Sequence, residues 1–87
     1  MMPLGAYNNQ NIGHAIIRIE ILSFFLANPH TRDTLKGFSI RLFMNCEMIA
    51  IVMEELIEVG IVEKVGNNDK SIYRLKVSYS SLAEYMA

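Results

Sequence analysis

Asn45-Cys-Glu-Met-Ile-Ala-Ile-Val-Met-Glu54-Glu-Leu-Ile-Glu-Val-Gly60 runs directly into Ile61-Val-Glu-Lys-Val65, then Gly66-Asn-Asn-Asp-Lys70, then Ser71-Ile-Tyr-Arg-Leu75. The first block predicts a helix. Asn45 can cap it, because its side-chain oxygen can accept from a backbone N–H left without a partner in the first turn. Glu47 lies near the positive end of the helix dipole. Ile49, Val52, Met53 and Leu56 recur at the spacing of one helical face. Gly60 closes the helix, where a left-handed residue is tolerated. Ile61 to Val65 and Ser71 to Val77 alternate and are rich in β-branched residues, so they predict two strands, with turn residues Gly66 to Lys70 between them. On the second strand Tyr73, Leu75 and Val77 share one face, and Ile72, Arg74 and Lys76 the other.

Upstream, Thr31 to Phe43 predicts another helix, capped by Thr31 or Asp33. Leu35, Phe38, Leu42 and Phe43 are its inward residues and Arg32, Lys36 and Arg41 its outer ones. Gly37 marks close packing of neighbouring backbones. Met44 and Asn45 form a short joint, so this helix and the next make a helix-turn-helix. Ile12 to Ala27 reads two ways: Arg18-Ile19-Glu20-Ile21 alternates like a strand, yet the apolar run is long and stops at Asn28-Pro29. The length favours a helix. Residues 1–11, with Pro3, Gly5 and Asn8-Asn9-Gln10-Asn11, lack periodicity and are expected to form an arm that Leu4 and Tyr7 could anchor. Residues 12–77 form the domain. Residues 78–87 form a short helical tail, opened by a capping-box pattern from Ser81 to Glu84.

The chain has 87 residues, 52% of them hydrophobic and 20% charged, with a net charge of −1. This composition argues against a disordered chain and provides no global basic field to attract nucleic acid. One cysteine, Cys46, precludes an internal disulfide and fits a reducing compartment. No signal segment and no bilayer-length apolar run is legible, so a soluble cytoplasmic protein without membrane contact is expected. The predicted first helix is apolar nearly all round, more than so short a chain can cover. A homodimer is therefore expected through Ile12, Ile16, Ile19, Leu22, Phe25 and Leu26, with Leu82, Tyr85 and Met86 of the tail.

Glu54-Glu55-Leu56 leading to Gly60-Ile61-Val62-Glu63-Lys64 and ending in Tyr73-Arg74-Leu75, behind a helix-turn-helix, resembles the winged-helix domain of small prokaryotic transcription regulators. The resemblance covers about Ile16 to Val77. It implies an α+β, mostly helical fold: three helices with a helix-turn-helix, a two-stranded β-hairpin wing and a short C-terminal helix. It further implies that the third helix enters the major groove of double-stranded DNA and that the wing lies beside the phosphates.

The third helix departs from that pattern. It carries no lysine or arginine, and its outward side presents Glu47, Ile51, Glu54, Glu55 and Glu58. Such a surface repels a duplex and lacks the donors that read guanine and adenine. The cations lie elsewhere: Arg32, Lys36 and Arg41 around the second helix, and Lys64, Lys70, Arg74 and Lys76 on or near the wing. They could touch phosphates, or simply deter edge-to-edge strand pairing. Two functions follow. In one, a dimeric regulator contacts DNA through wing and second helix. In the other, Ile51, Glu54, Glu55 and Glu58 form a protein-binding surface and DNA is not bound.

Nothing in the sequence supports an enzyme or a cofactor. His14 and His30 stand far apart with no second cysteine, so a metal site is not expected. Cys46 at a helix start reads either as a redox-sensitive thiol or as a packed small hydrophobe.

Overall fold

The computed structural model describes residues 9–67 and 70–87, the side chains of 9–12 excepted. The fold is α+β and mostly helical. The order is α1 (Asn9–Ala27), α2 (Leu35–Leu42), α3 (Cys46–Glu58), β1 (Val62–Val65), β2 (Ile72–Leu75) and α4 (Tyr79–Met86). The four helices and one antiparallel hairpin of the described residues are compatible with the winged-helix layout expected from the sequence. Among the described residues no helix is long and apolar enough to cross a membrane.

The decisive stretch folds as read. The Asn45 side-chain oxygen accepts from the Glu47 and Met48 amides at 2.8 and 3.3 Å. Ile49, Val52, Met53 and Leu56 are all buried. At the far end Gly60 takes φ +83°. Its N–H donates to Ile57 O at 3.0 Å, and that of Ile61 to Leu56 O at 2.9 Å. These two bonds satisfy carbonyls that the end of α3 leaves free, and they turn the chain straight into the hairpin. In the hairpin Val62 pairs with Leu75, Glu63 with Arg74, Lys64 with Tyr73 and Val65 with Ile72. The strands are shorter than predicted, although Lys76 N–H still donates to Ile61 O at 2.8 Å. Tyr73 is buried and Leu75 and Val77 pack on the core, as the alternation required.

The core gathers Ile21, Leu22 and Phe25 of α1, Phe38 of α2, the α3 face, Val62, Tyr73 and Leu82 of α4. Phe38 packs against Phe25 and Phe24 with ring centroids 5.5 and 6.0 Å apart. Asp33, between α1 and α2, exchanges backbone hydrogen bonds with Tyr73, so β2 is held on both edges.

Several expectations are corrected. The first helix starts at Asn9, so the arm does not extend to residue 11; Leu4 and Tyr7 lie outside the described residues. The second helix spans Leu35–Leu42 rather than Thr31 to Phe43, and its cap is Thr34, whose hydroxyl accepts from Gly37 N–H at 3.1 Å. Asp33 cannot cap because its carboxylate takes the Thr34 amide at 2.7 Å and Arg41 Nε at 2.9 Å. Thr31 sits in the preceding turn, donating its N–H to Asn28 O. At Gly37 the close neighbour is a side chain and not a backbone: an added Cβ would lie 2.0 Å from Asp33 Oδ1. Ser78, not Ser81, caps the tail helix, with its hydroxyl accepting from the Ser81 amide at 3.2 Å. Phe43, read as an inward residue, is 94% exposed and holds a left-handed φ of +55°. It occupies the helix-ending position that favours glycine.

Candidate interaction surfaces

The fold distributes the predicted residues among three surfaces. The first is the solvent side of the helix-turn-helix. Glu47, Ile51, Glu54 and Glu58 are exposed along α3 at intervals that keep them on one side. Glu55 is not part of this stripe. It turns back to α1, where Arg18 Nη2 stands 2.5 Å from one carboxylate oxygen and His14 Nδ1 3.5 Å from the other. Of the predicted protein-contact set, Glu55 thus joins two helices of the same chain.

α2, α3 and the turn between them also carry exposed apolar groups, of which Ile51 was expected from the sequence and Ile40 and Phe43 were not. Ile40 is 65% exposed, Ile51 45%, and Phe43 stands almost wholly in solvent between α2 and α3. Sequence reasoning put Phe43 in the core because an apolar residue at the end of an apolar stripe reads as buried. The left-handed turn at the end of α2 instead swings it outward. Cys46, at the start of α3, is exposed and so is not a packed hydrophobe.

The second surface holds the cations. Three of the seven predicted phosphate contacts are already matched to acids. Arg41 Nε lies 2.9 Å from Asp33, Arg74 Nε 2.6 Å from Glu63, and Lys64 Nζ 4.0 Å from Glu54. Lys64 also lies over the Tyr73 ring at 5.9 Å. The hydrogen bond from Arg41 holds the Asp33 carboxyl below its ordinary value of 3.8; partial burial opposes this, and the Thr34 amide reinforces it. Among the described residues, Arg32, Lys36 and Lys76 form no ion pair, and all three are exposed, as is Lys70. Of the hairpin cations, Lys64 and Arg74 thus each face a glutamate, Glu54 of α3 and Glu63 of β1.

Where the linker after α1 meets the hairpin, the structure brings together residues that lie far apart in the chain. A cleft of about 460 Å³ is lined by Pro29, His30, Thr31 and Arg32 on one wall and Glu63, Arg74 and Leu75 on the other. The Asp33–Tyr73 bridge sets these walls side by side.

The third surface is the predicted dimer face. Leu22 and Phe25 are enclosed by the chain's own core and offer nothing to a second subunit, which corrects their assignment. Both belong to the buried core, where Phe25 packs against Phe38 of α2. Leu26 and Met86 are half-buried against that core, and the Ile12 side chain lies outside the described residues. Ile16, Ile19 and Tyr85 remain more than half exposed.

Compared with family models and with curated protein sequences, the chain matches none.

Proposed function

We propose that the chain is a small winged-helix module of the transcription-regulator type whose helix-turn-helix binds a protein rather than the major groove. The observation that carries this is Phe43. An aromatic ring 94% exposed, on a backbone conformation that bulky residues avoid, is a costly arrangement for the free chain. A partner pocket that receives the ring gives the arrangement a use, since aromatic anchors dominate interface energetics. Ile40 and Ile51 extend the apolar contact, and Glu47, Glu54 and Glu58 border it with negative charge. The complementary partner is a protein with an apolar pocket rimmed by lysine or arginine. Paired cations point the same way, because Arg41 of α2 and Lys64 and Arg74 of the hairpin already face Asp33, Glu54 and Glu63. The module works by binding and uses no cofactor. Its exposed lone thiol, Cys46, suits the reducing cytoplasm.

Photo-cross-linking tests the reading. Benzoylphenylalanine placed at Ile51 should yield a defined protein adduct in the host cell. Placed at Ser80 on α4, it should not. The adduct should vanish with Phe43→Ala and fade with Glu54→Gln plus Glu58→Gln. Equal labelling from both positions refutes the assignment.

A second reading retains DNA contact through Arg32, Lys36, Lys70 and Lys76, and is favoured by the absence of ion pairs at Arg32, Lys36 and Lys76 among the described residues. It predicts saturable binding to mixed duplex DNA at about 50 mM salt that falls steeply as salt rises. Each alanine substitution at these positions would lower the salt slope by about one. Either reading accommodates a homodimer, formed through Ile16, Ile19 and Tyr85 with Leu26 and Met86 at its margin.

A further inference from the structure

The cleft between linker and hairpin carries a chemistry that the protein-binding reading does not use, and of its residues the DNA reading takes up Arg32 alone. Two guanidinium groups, Arg32 and Arg74, line it with the His30 imidazole and the Thr31 hydroxyl, against one carboxylate, Glu63. Glu63 engages Arg74 only through Nε, at 2.6 Å. Both Nη groups of Arg74 are therefore left with unused donors among the described residues. The Arg32 side chain makes no hydrogen bond or ion pair among them either. An arginine held at one edge by a carboxylate keeps its opposite edge in a fixed plane, the geometry that grips an oxyanion with two parallel bonds. Glu63 thus orients Arg74 more than it neutralises the cleft, which keeps a net positive charge. The volume of about 460 Å³ is that of a small-molecule site.

We propose that this cleft binds a small organic anion through a phosphate or carboxylate group, held by Arg32 and the terminal nitrogens of Arg74. Thr31 Oγ1 and an imidazole nitrogen of His30 stand by as further donors. The cleft is open to solvent, so recognition relies on charge and on the two arginine planes rather than on enclosure. The site is independent of the Phe43 surface and stands or falls without it. It adjoins the Asp33–Tyr73 bridge, and Asp33 also holds Arg41 of α2. A bound anion therefore touches the segment that sets how α2 meets the hairpin.

The test is an amide NMR titration of the full chain with sodium phosphate and, separately, sodium citrate, each against sodium chloride at equal ionic strength. A short mixed duplex serves as the macromolecular source of phosphate. The expected result is saturable shifts at Thr31, Arg32, Glu63 and Arg74, including the Arg74 Nε–H, with phosphate or citrate but not chloride. Arg32→Ala should weaken binding about tenfold by removing one charged hydrogen-bonding group, and its spectrum elsewhere should match that of the parent. Arg74→Lys, which keeps the charge but loses the fork, should weaken it as well. Linear shifts that chloride reproduces overturn the site. So do saturable shifts indifferent to Arg32→Ala. Saturation with the duplex alone, spreading to Lys36 and Lys70, would assign these arginines to a nucleic-acid backbone and equally overturn a small-anion site.

Discussion

Replacing Phe43 by glycine should make the protein more stable while removing its proposed binding function. The left-handed conformation at φ +55° costs a residue with a Cβ roughly 1–2 kcal/mol. Glycine adopts it freely, but its unfolded chain is more flexible, which returns about 0.4–1 kcal/mol. The ring is 94% exposed, so its loss removes almost no buried apolar area. The net gain is about 0.5–1 kcal/mol, a rise in Tm of about 2–8 °C for a domain of this size. Phe43→Ala keeps the strained backbone and removes only the ring, so its stability should stay within about 0.5 kcal/mol of the parent. Thermal unfolding followed by circular dichroism, backed by urea titration, measures both. The pair separates backbone strain from side-chain packing. A fall in Tm for Phe43→Gly would refute the reasoning at its root, since it would mean that the ring is packed in the folded chain and is not a free anchor. A fall for Phe43→Ala alone would say the same of the ring while sparing the strain argument.

Gly37→Ala should destabilise by about 1–3 kcal/mol in urea unfolding, because the new methyl would collide with an Asp33 carboxylate pinned by Arg41 and the Thr34 amide. The Asp33 carboxyl is lowered in the folded state, so its contribution is present above the ordinary value of 3.8 and is lost as pH falls through the lower folded value. The urea midpoint of the parent should therefore drop more between pH 5 and pH 2 than that of Asp33→Asn, and parallel curves would contradict the assignment. Ile16→Asp with Ile19→Asp should convert a species of twice 9.9 kDa into one of 9.9 kDa by sedimentation. A parent that sediments at the monomer mass at high micromolar concentration removes the dimer.

Local chemistry was enough for the centre of this fold. Asn45, the Ile49-Val52-Met53-Leu56 stripe, Gly60 and the alternation of the strands act over a few residues, and each requirement is met inside its own segment. What lay beyond reach were competitions between segments. Asp33 and Thr34 both suit a helix start; Thr34 takes it because Asp33 is held by Tyr73 and Arg41. Glu55 looks like its neighbours along α3, and only the approach of α1 turns it toward Arg18 and His14. Apolar character around α1 suggested a surface needing a second subunit, yet Leu22 and Phe25 are buried in the chain's own core, and among the described residues Ile16 and Ile19 are the large apolar groups of α1 left exposed. The same limit governs the surfaces proposed for function. Residue types alone determined that α3 would be acidic and that the cations would fall on α2 and the hairpin. The pairing of Arg41 with Asp33, Lys64 with Glu54 and Arg74 with Glu63, the outward turn of Phe43 and the cleft joining Arg32 to Arg74 were decided only by tertiary structure. Each depends on which distant backbone lies alongside, and no periodicity in a single chain encodes that.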